Sequence, residues 1–116
     1  MTNSQWNTID TQEDLNKIIL ASHQSDQLIF KHSSSCGISS LVKNRLEKED
    51  LAIEHHLPIH LIDVIRNREI SNQLADHFKI RHESPQILLI VDDHCTFHTS
   101  HFDVSLKNIP ISKEEK

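Results

Sequence analysis

The run Leu28-Ile29-Phe30 is unbroken by any polar residue, and it restricts the fold more than any other stretch of the chain. A strand with apolar side chains on both faces must be covered from both sides, which is the situation of a central strand flanked by helices. The chain then passes through Lys31, His32 and three turn-prone serines. Cys36 follows, where a helical spacing begins at Ile38, Leu41, Val42 and Leu46. This puts the cysteine at a strand-to-helix junction. Unpaired N–H groups and the positive end of the helix dipole gather there, and both favour a thiolate over a thiol. The thiolate is the form that attacks disulfides. A free cysteine is also a common small residue of apolar cores, so position alone leaves both roles open.

Taken in order, Ser4 to Ile9 reads as a short strand carrying Trp6 and Ile9. Asp10 or Thr11 caps a helix whose apolar face is Leu15, Ile18 and Ile19, with Glu13 three residues after Asp10. The strand at Leu28 and the Cys36 helix, running to about Glu49, come next. Leu57 to Val64 is a strand that tolerates Pro58 near its start. Asn67 to Ile80 is helical by the spacing of Ile70, Leu74 and Phe78, with Ala75 widening the stripe. A polar connection ends at Pro85, which holds Ser84 extended. Ile87 to Val91, the turn Asp92 to His94 and the strand Cys95 to Ser100 make a hairpin. Asp103 caps a short last helix carrying Val104, Leu106 and Ile109, closed by Pro110 and a charged tail. The order βαβαβαββα defines an α/β protein with a mixed central sheet flanked by helices.

Composition excludes several classes of function. A length of 116 residues suits one domain spanning residues 1–116. The net charge of -5, without a cluster of Lys or Arg, argues against nucleic acid as partner. No run is long and apolar enough to cross a bilayer, so no membrane partner is expected. Two distant cysteines and no N-terminal apolar segment make no disulfide framework, and a cytoplasmic location is expected. The ten histidines make the charge sensitive to mild acid. His94, Cys95, His98 and His101 are of metal-ligating type. Strand alternation sends Cys95 and His101 to one face and His94 and His98 to the other, so no metal is expected. His55, His56 and His60 read as surface residues of a helix-to-strand connection.

The element order matches the complete thioredoxin fold. Three motifs accompany it: Cys36-Gly37-Ile38-Ser39 at the start of the second helix, Ser84-Pro85 before the hairpin, and Ser100-His101-Phe102-Asp103 after it. Within that superfamily the chain resembles the monothiol bacilliredoxins, also called the YtxJ family, through these motifs together with Phe30-Lys31-His32-Ser33 and Gln86. The resemblance spans nearly the whole chain. It implies a cis peptide before Pro85, with the proline lying against the active cysteine. It also implies a thiol-disulfide oxidoreductase acting on protein mixed disulfides, with bacillithiol as co-substrate. The expected partners are bacillithiolated client proteins and a low-molecular-weight thiol. The usual family form has proline after the cysteine. Gly37 departs from it, which leaves thiol chemistry intact and loosens the first helical turn.

Thioredoxin-type reductants carry a second, resolving cysteine three positions after the first, and here that position is Ser39. Its hydroxyl can donate to a Cys36 thiolate, beside the first-turn residues Gly37 and Ile38, or it is an ordinary early-helix serine. His32 favours the thiolate if its ring turns inward and is otherwise solvent-exposed. The buried acid that thioredoxins tend to carry six positions before the cysteine is replaced by Phe30, so no carboxylate relay is expected. Cys95 lies beyond the far end of a five-residue strand, about 17 Å away along it. A disulfide needs Cα atoms within about 7 Å. Ser84, Pro85, Ser100, His101 and Asp103 are candidates for holding the small thiol. Glutaredoxins place a glycine pair and an aspartate at this point, and Asp103 matches the aspartate. N–H groups of a helix after Asp103 would then meet the carboxylates of bacillithiol, and His101 and Asp103 its hydroxyls and amine. Two other functions stay open. Monothiol glutaredoxins with Cys-Gly-Phe-Ser carry iron–sulfur clusters and resemble this motif, and a non-catalytic module would use the Pro85 face for binding alone.

Overall fold

The computed structural model describes residues 6–52 and 57–110. Ser4, His55, His56 and the charged tail lie outside them. A strand β1 (Asn7–Thr8) leads into helix α1 (Gln12–Ala21), strand β2 (Gln27–His32), helix α2 (Gly37–Ala52), strand β3 (Ile59–Asp63) and helix α3 (Arg68–Phe78). The hairpin β4 (Gln86–Val91) and β5 (His94–Ser100) follows, then two 3-10 turns, His101–Asp103 and Leu106–Asn108. The sheet order is β1-β3-β2-β4-β5. β1, β3 and β2 run parallel, and β4 and β5 are antiparallel to their neighbours.

β2 lies at the centre and every residue in it is buried. Its alternation divides the core in two. Leu28 and Phe30 pack with Val42 and Leu46 of α2 and with Val104, Leu106 and Ile109. Ile29 packs on the other face with Leu15 and Ile18 of α1 and Leu74 and Phe78 of α3. The unbroken apolar run is therefore covered on both sides. Phe30 has no exposed surface and meets Trp6 edge-on at 6.1 Å between ring centroids.

Local chemistry explains where elements begin and end. The reciprocal cap of α1 forms between Thr11 and Asp14, not between Asp10 and Glu13: Asp14 N–H donates to the Thr11 hydroxyl, and Asp14 accepts from the Thr11 N–H. α3 stops at Phe78 because Lys79 turns left-handed at φ 58°. The helix expected after Asp103 is replaced by the two 3-10 turns. Val104 and Ser105 between the two turns are extended, at φ -71°, ψ 107° and φ -160°, ψ 141°. Glu49 of α2 fixes that conformation by accepting from the Ser105 hydroxyl and the Leu106 N–H, each at 2.8 Å. Ser105, not Asp103, supplies the capping side chain.

Two other expectations are corrected. His60 is only 8% exposed, because it sits inside β3 between β1 and β2; its Nε2 lies 2.7 Å from Gln27 Oε1. In β5 a bulge pairs Leu89 with Phe97 but Ile90 with Cys95. Cys95 then packs on the α1 and α3 side and Phe97 on the α2 side, so simple alternation fails along this strand. Among the described residues no group of three or more His, Cys, Asp or Glu is placed to hold a metal, and no helix is long and apolar enough to cross a membrane.

Candidate active site

Cys36 is half-buried and stands immediately before the first residue of α2. Its carbonyl accepts the Ser40 N–H at 3.1 Å, the first bond of the helix, and its N–H donates to Ser33 O at 3.1 Å. The three serines thus form a tight turn that delivers the thiol to the helix N-terminus, where first-turn N–H groups lack partners within the helix. The turn is fastened to β3 as well. Val64 N–H donates to His32 O at 2.9 Å, and the Ser34 side chain hydrogen-bonds to Asp63. Burial pushes the Asp63 carboxyl up, but the Ile65 N–H, then Ser34 and the Arg66 N–H, outweigh it and hold the group below the usual carboxylate range.

Ser39 is completely buried, and its hydroxyl is engaged away from the position expected for it. It accepts from the Ser33 N–H at 3.0 Å and lies 2.7 Å from His32 Nδ1. What the first turn presents at the cysteine is therefore its backbone N–H groups. His32 is engaged through the same contact, its Nδ1 on the Ser39 hydroxyl. Its ring stacks on Phe30 at 6.0 Å and is 8% exposed. Burial, reinforced by Lys43 and opposed by Asp63 and Glu47, lowers its pKa, so the ring is neutral at pH 7 and holds Ser39 as a hydrogen-bonding partner. Gly37 and Ile38 are exposed beside Cys36, and a Cβ added to Gly37 would meet nothing within 4 Å.

The other half of the site comes from the hairpin. The Ser84–Pro85 peptide is cis. Lys31 is in register with Gln86, so Pro85 lies beside the end of β2 that leads to Cys36. His101 N–H donates to Pro85 O at 2.9 Å, with His101 in the left-handed region at φ 58°. This brings Ser100 to Asp103 against Ser84 and Pro85. Ser100 also hydrogen-bonds Glu83, the first cause of that carboxyl's lowered pKa. Arg45 of α2 donates to the carbonyls of Phe102 and Val104, tying the strip to the cysteine helix. The side chains of His101 and Asp103 are exposed, but Asp103 begins no helix, so the N–H donors expected after it are not present as a helix end.

Lys31, Arg45, Asp63, His82 and Glu83 are not among the candidate site residues that the sequence offers, although they fasten these segments together. One signal was available for Lys31: a lysine inside a strand buried on both faces has to find a partner.

A half-buried cysteine at a helix N-terminus, beside a cis-proline loop on a β1-β3-β2-β4-β5 sheet, defines a thioredoxin-fold protein with a single-cysteine site. The chain belongs to the monothiol bacilliredoxin family BrxC, whose pattern it matches over residues 7–109, and so to a family of thiol oxidoreductases. Among solved structures it is similar to a protein described as having a thioredoxin fold, with TM-score 0.76, 19% identity and 88% of each chain covered. Fasciola hepatica thioredoxin superposes with TM-score 0.67 at 18% identity, covering 82% of this chain and 86% of that one. A thioredoxin variant from Halobacterium salinarum gives 0.62 at 20% identity, covering 86% and 82%.

Proposed function

We propose that the protein removes bacillithiol from mixed disulfides on client proteins through Cys36. The observation that carries this reading is a lone thiol at a helix end with no second thiol in reach. Ser39 occupies the resolving position, and Cys95 pairs with Ile90, four residues along β4 from the Gln86 row that borders the site. Four residues of strand span about 13 Å.

In the first step the Cys36 thiolate attacks the bacillithiol sulfur, the client–bacillithiol S–S bond breaks, and the client thiolate leaves and takes a proton from water. The disulfide bond is conserved, now between Cys36 and bacillithiol. Backbone N–H groups of the first turn stabilise the attacking thiolate. A second low-molecular-weight thiol attacks the bacillithiol sulfur of that adduct, restores Cys36 and leaves as the disulfide. Ser84 and Pro85 border the client side. Ser100, His101 and Asp103 offer polar groups to the amino sugar and malate of bacillithiol, now through side chains alone.

The test is exposure to oxidised bacillithiol and, separately, to oxidised glutathione, followed by intact mass and peptide mapping. The expected product is one bacillithiol adduct at Cys36. A Cys36–Cys95 bond within the native monomer, or a preference for glutathione, overturns the proposal.

A further inference from the structure

Lys31 and His32 end β2 and point to opposite faces of the sheet. On the α2 face His32 grips the cysteine helix through Ser39, as described above. On the α3 face Lys31 has no exposed surface at all, a rare state for lysine. Its amine lies 3.0 Å from Nδ1 of His82, an exposed residue three positions before Pro85. Burial brings Lys31 down to about 8, against an upward pull from Glu83, so the ammonium form prevails at pH 7 and donates to an unprotonated Nδ1. The Ser71 hydroxyl of α3 is 3.5 Å from the same nitrogen. Gln86, the register partner of Lys31, sends its Nε2 to Arg81 O at 3.1 Å. The segment from Arg81 to Gln86 is therefore held at both ends from one row of the sheet. An apolar side chain would fill the buried site at lower desolvation cost. What the amine adds is a directed bond to the segment that borders Cys36.

We propose that Lys31, acting through His82, is a positioning residue that holds the Arg81–Pro85 segment in place to receive the client chain. This rests on the reading that Cys36 exchanges with client mixed disulfides. His32 sets the thiol and Lys31 sets the surface the client docks on, so adjacent residues of β2 govern separable parts of one reaction. The charged groups around His82 are Lys31 from β2, Arg68 from α3 and Glu83 from its own segment. Its pKa is lowered by burial and then by Lys31 and Arg68, with Glu83 opposing. Protonation, deferred to more acid conditions than for a free imidazole, removes the Nδ1 acceptor and places two cations together.

The experiment compares Lys31→Met, His82→Ala and His82→Gln with the unmodified chain, using a bacillithiolated client. His82 is exposed, so its substitution removes little packing, and His82→Gln keeps a partner for the buried amine and folds even if Lys31→Met does not. For Lys31→Met and His82→Ala, KM for the client rises about tenfold, the effect of losing one charge-assisted hydrogen bond. kcat and the rate of Cys36 alkylation at pH 7 stay within twofold. His82→Gln keeps an acceptor and restores KM, and it abolishes the rise in KM that the unmodified chain shows in acid. An unchanged KM in His82→Ala, or a loss confined to kcat, overturns the proposal. Trypsin cleavage after Arg81 separates the two readings. If no client is turned over, the exchange reading fails by itself, whereas faster cleavage in His82→Ala but not in His82→Gln still supports the strut, and equal rates overturn it.

Discussion

The two cysteines sit at opposite ends of one sheet and meet different surroundings. Cys36 is presented by a turn to the start of α2, and its backbone bonds to Ser33 and Ser40. Cys95 lies within β5, packs against the α1 and α3 side of the core, and directs its Sγ to Phe97 O at 3.4 Å. Burial pushes the Cys95 thiol above its ordinary value. At that end the polar groups satisfy one another. In the Asp92–Asp93 turn, with φ of 51° and 61°, the Asp92 N–H donates to Ser22 O and the Asp93 N–H to Ser22 Oγ, and the carboxylates meet His23 at 3.0 Å and His77 at 2.7 Å. At the Cys36 end, helix N–H groups and an exposed strip beside Pro85 are left facing outward. On the proposed reading, reactivity follows from which end of the sheet a thiol occupies.

The sharpest way to break this contrast is to remove each thiol. Cys36→Ser is expected to lower the rate of bacillithiol removal by at least about 1,000-fold, about 4 kcal/mol of barrier. Cys95→Ser should stay within about twofold. Comparable losses in both variants, measured on one client, would make Cys95 a participant and end the distinction.

A second contrast concerns acid. His60, bonded to Gln27 in the interior, is held by burial at about 4. Its folded value lies below the ordinary 6.5, so the unfolded chain binds the extra proton first. The stability it contributes is full above pH 6.5 and is lost as pH falls toward 4. With the ring 8% exposed, the loss is on the order of 2 to 3 kcal/mol. Melting temperatures between pH 7 and 4.5 should fall in the unmodified chain and stay flatter in His60→Gln. Equal slopes would show that the ring takes up its proton without loss of the fold.

His60 also shows where sequence reading stops. The α/β order, the central place of β2 and the helix-end position of Cys36 follow from apolar runs and spacing, which report burial directly. Burial of His60 depends on β1 pairing outside β3, a non-local fact with no local trace. The β5 bulge and the 3-10 turns in place of a last helix are non-local in the same way. One is set by the pairing of Leu89 with Phe97, the other by Glu49 reaching from α2. At the site, Ser39 was legible as a first-turn residue, but its choice of His32 and Ser33 required the strand and helix to be in place.

That choice can be probed. Ser39→Ala leaves the Ser33 N–H without its partner inside the protein, which costs about 1 to 2 kcal/mol. The Cys36 end should lose order while the Asp92–Asp93 end does not. Hydrogen exchange localised to residues 33–40 would sharpen the comparison, and uniform loosening across both ends would erase it.

The smallest effect is expected at Gly37, where the helix begins. Glycine loses more backbone freedom on folding than alanine, so an alanine at a compatible helical position stabilises by about 0.5 to 1 kcal/mol. Compatibility here is a matter of space, and an added Cβ meets nothing within 4 Å. Gly37→Ala should therefore raise stability by that amount in denaturant titration and slow hydrogen exchange in the first turn of α2. The N–H groups beside Cys36 are backbone groups of that same turn, so tightening it should leave the exchange rate equal or up to about twofold higher. A destabilised Gly37→Ala would mean that this turn makes a closer approach than the structure shows. A stabilised variant with slower exchange would mean that glycine's looseness at the first turn serves the reaction, and that the Cys36 end depends on mobility as much as on its donors.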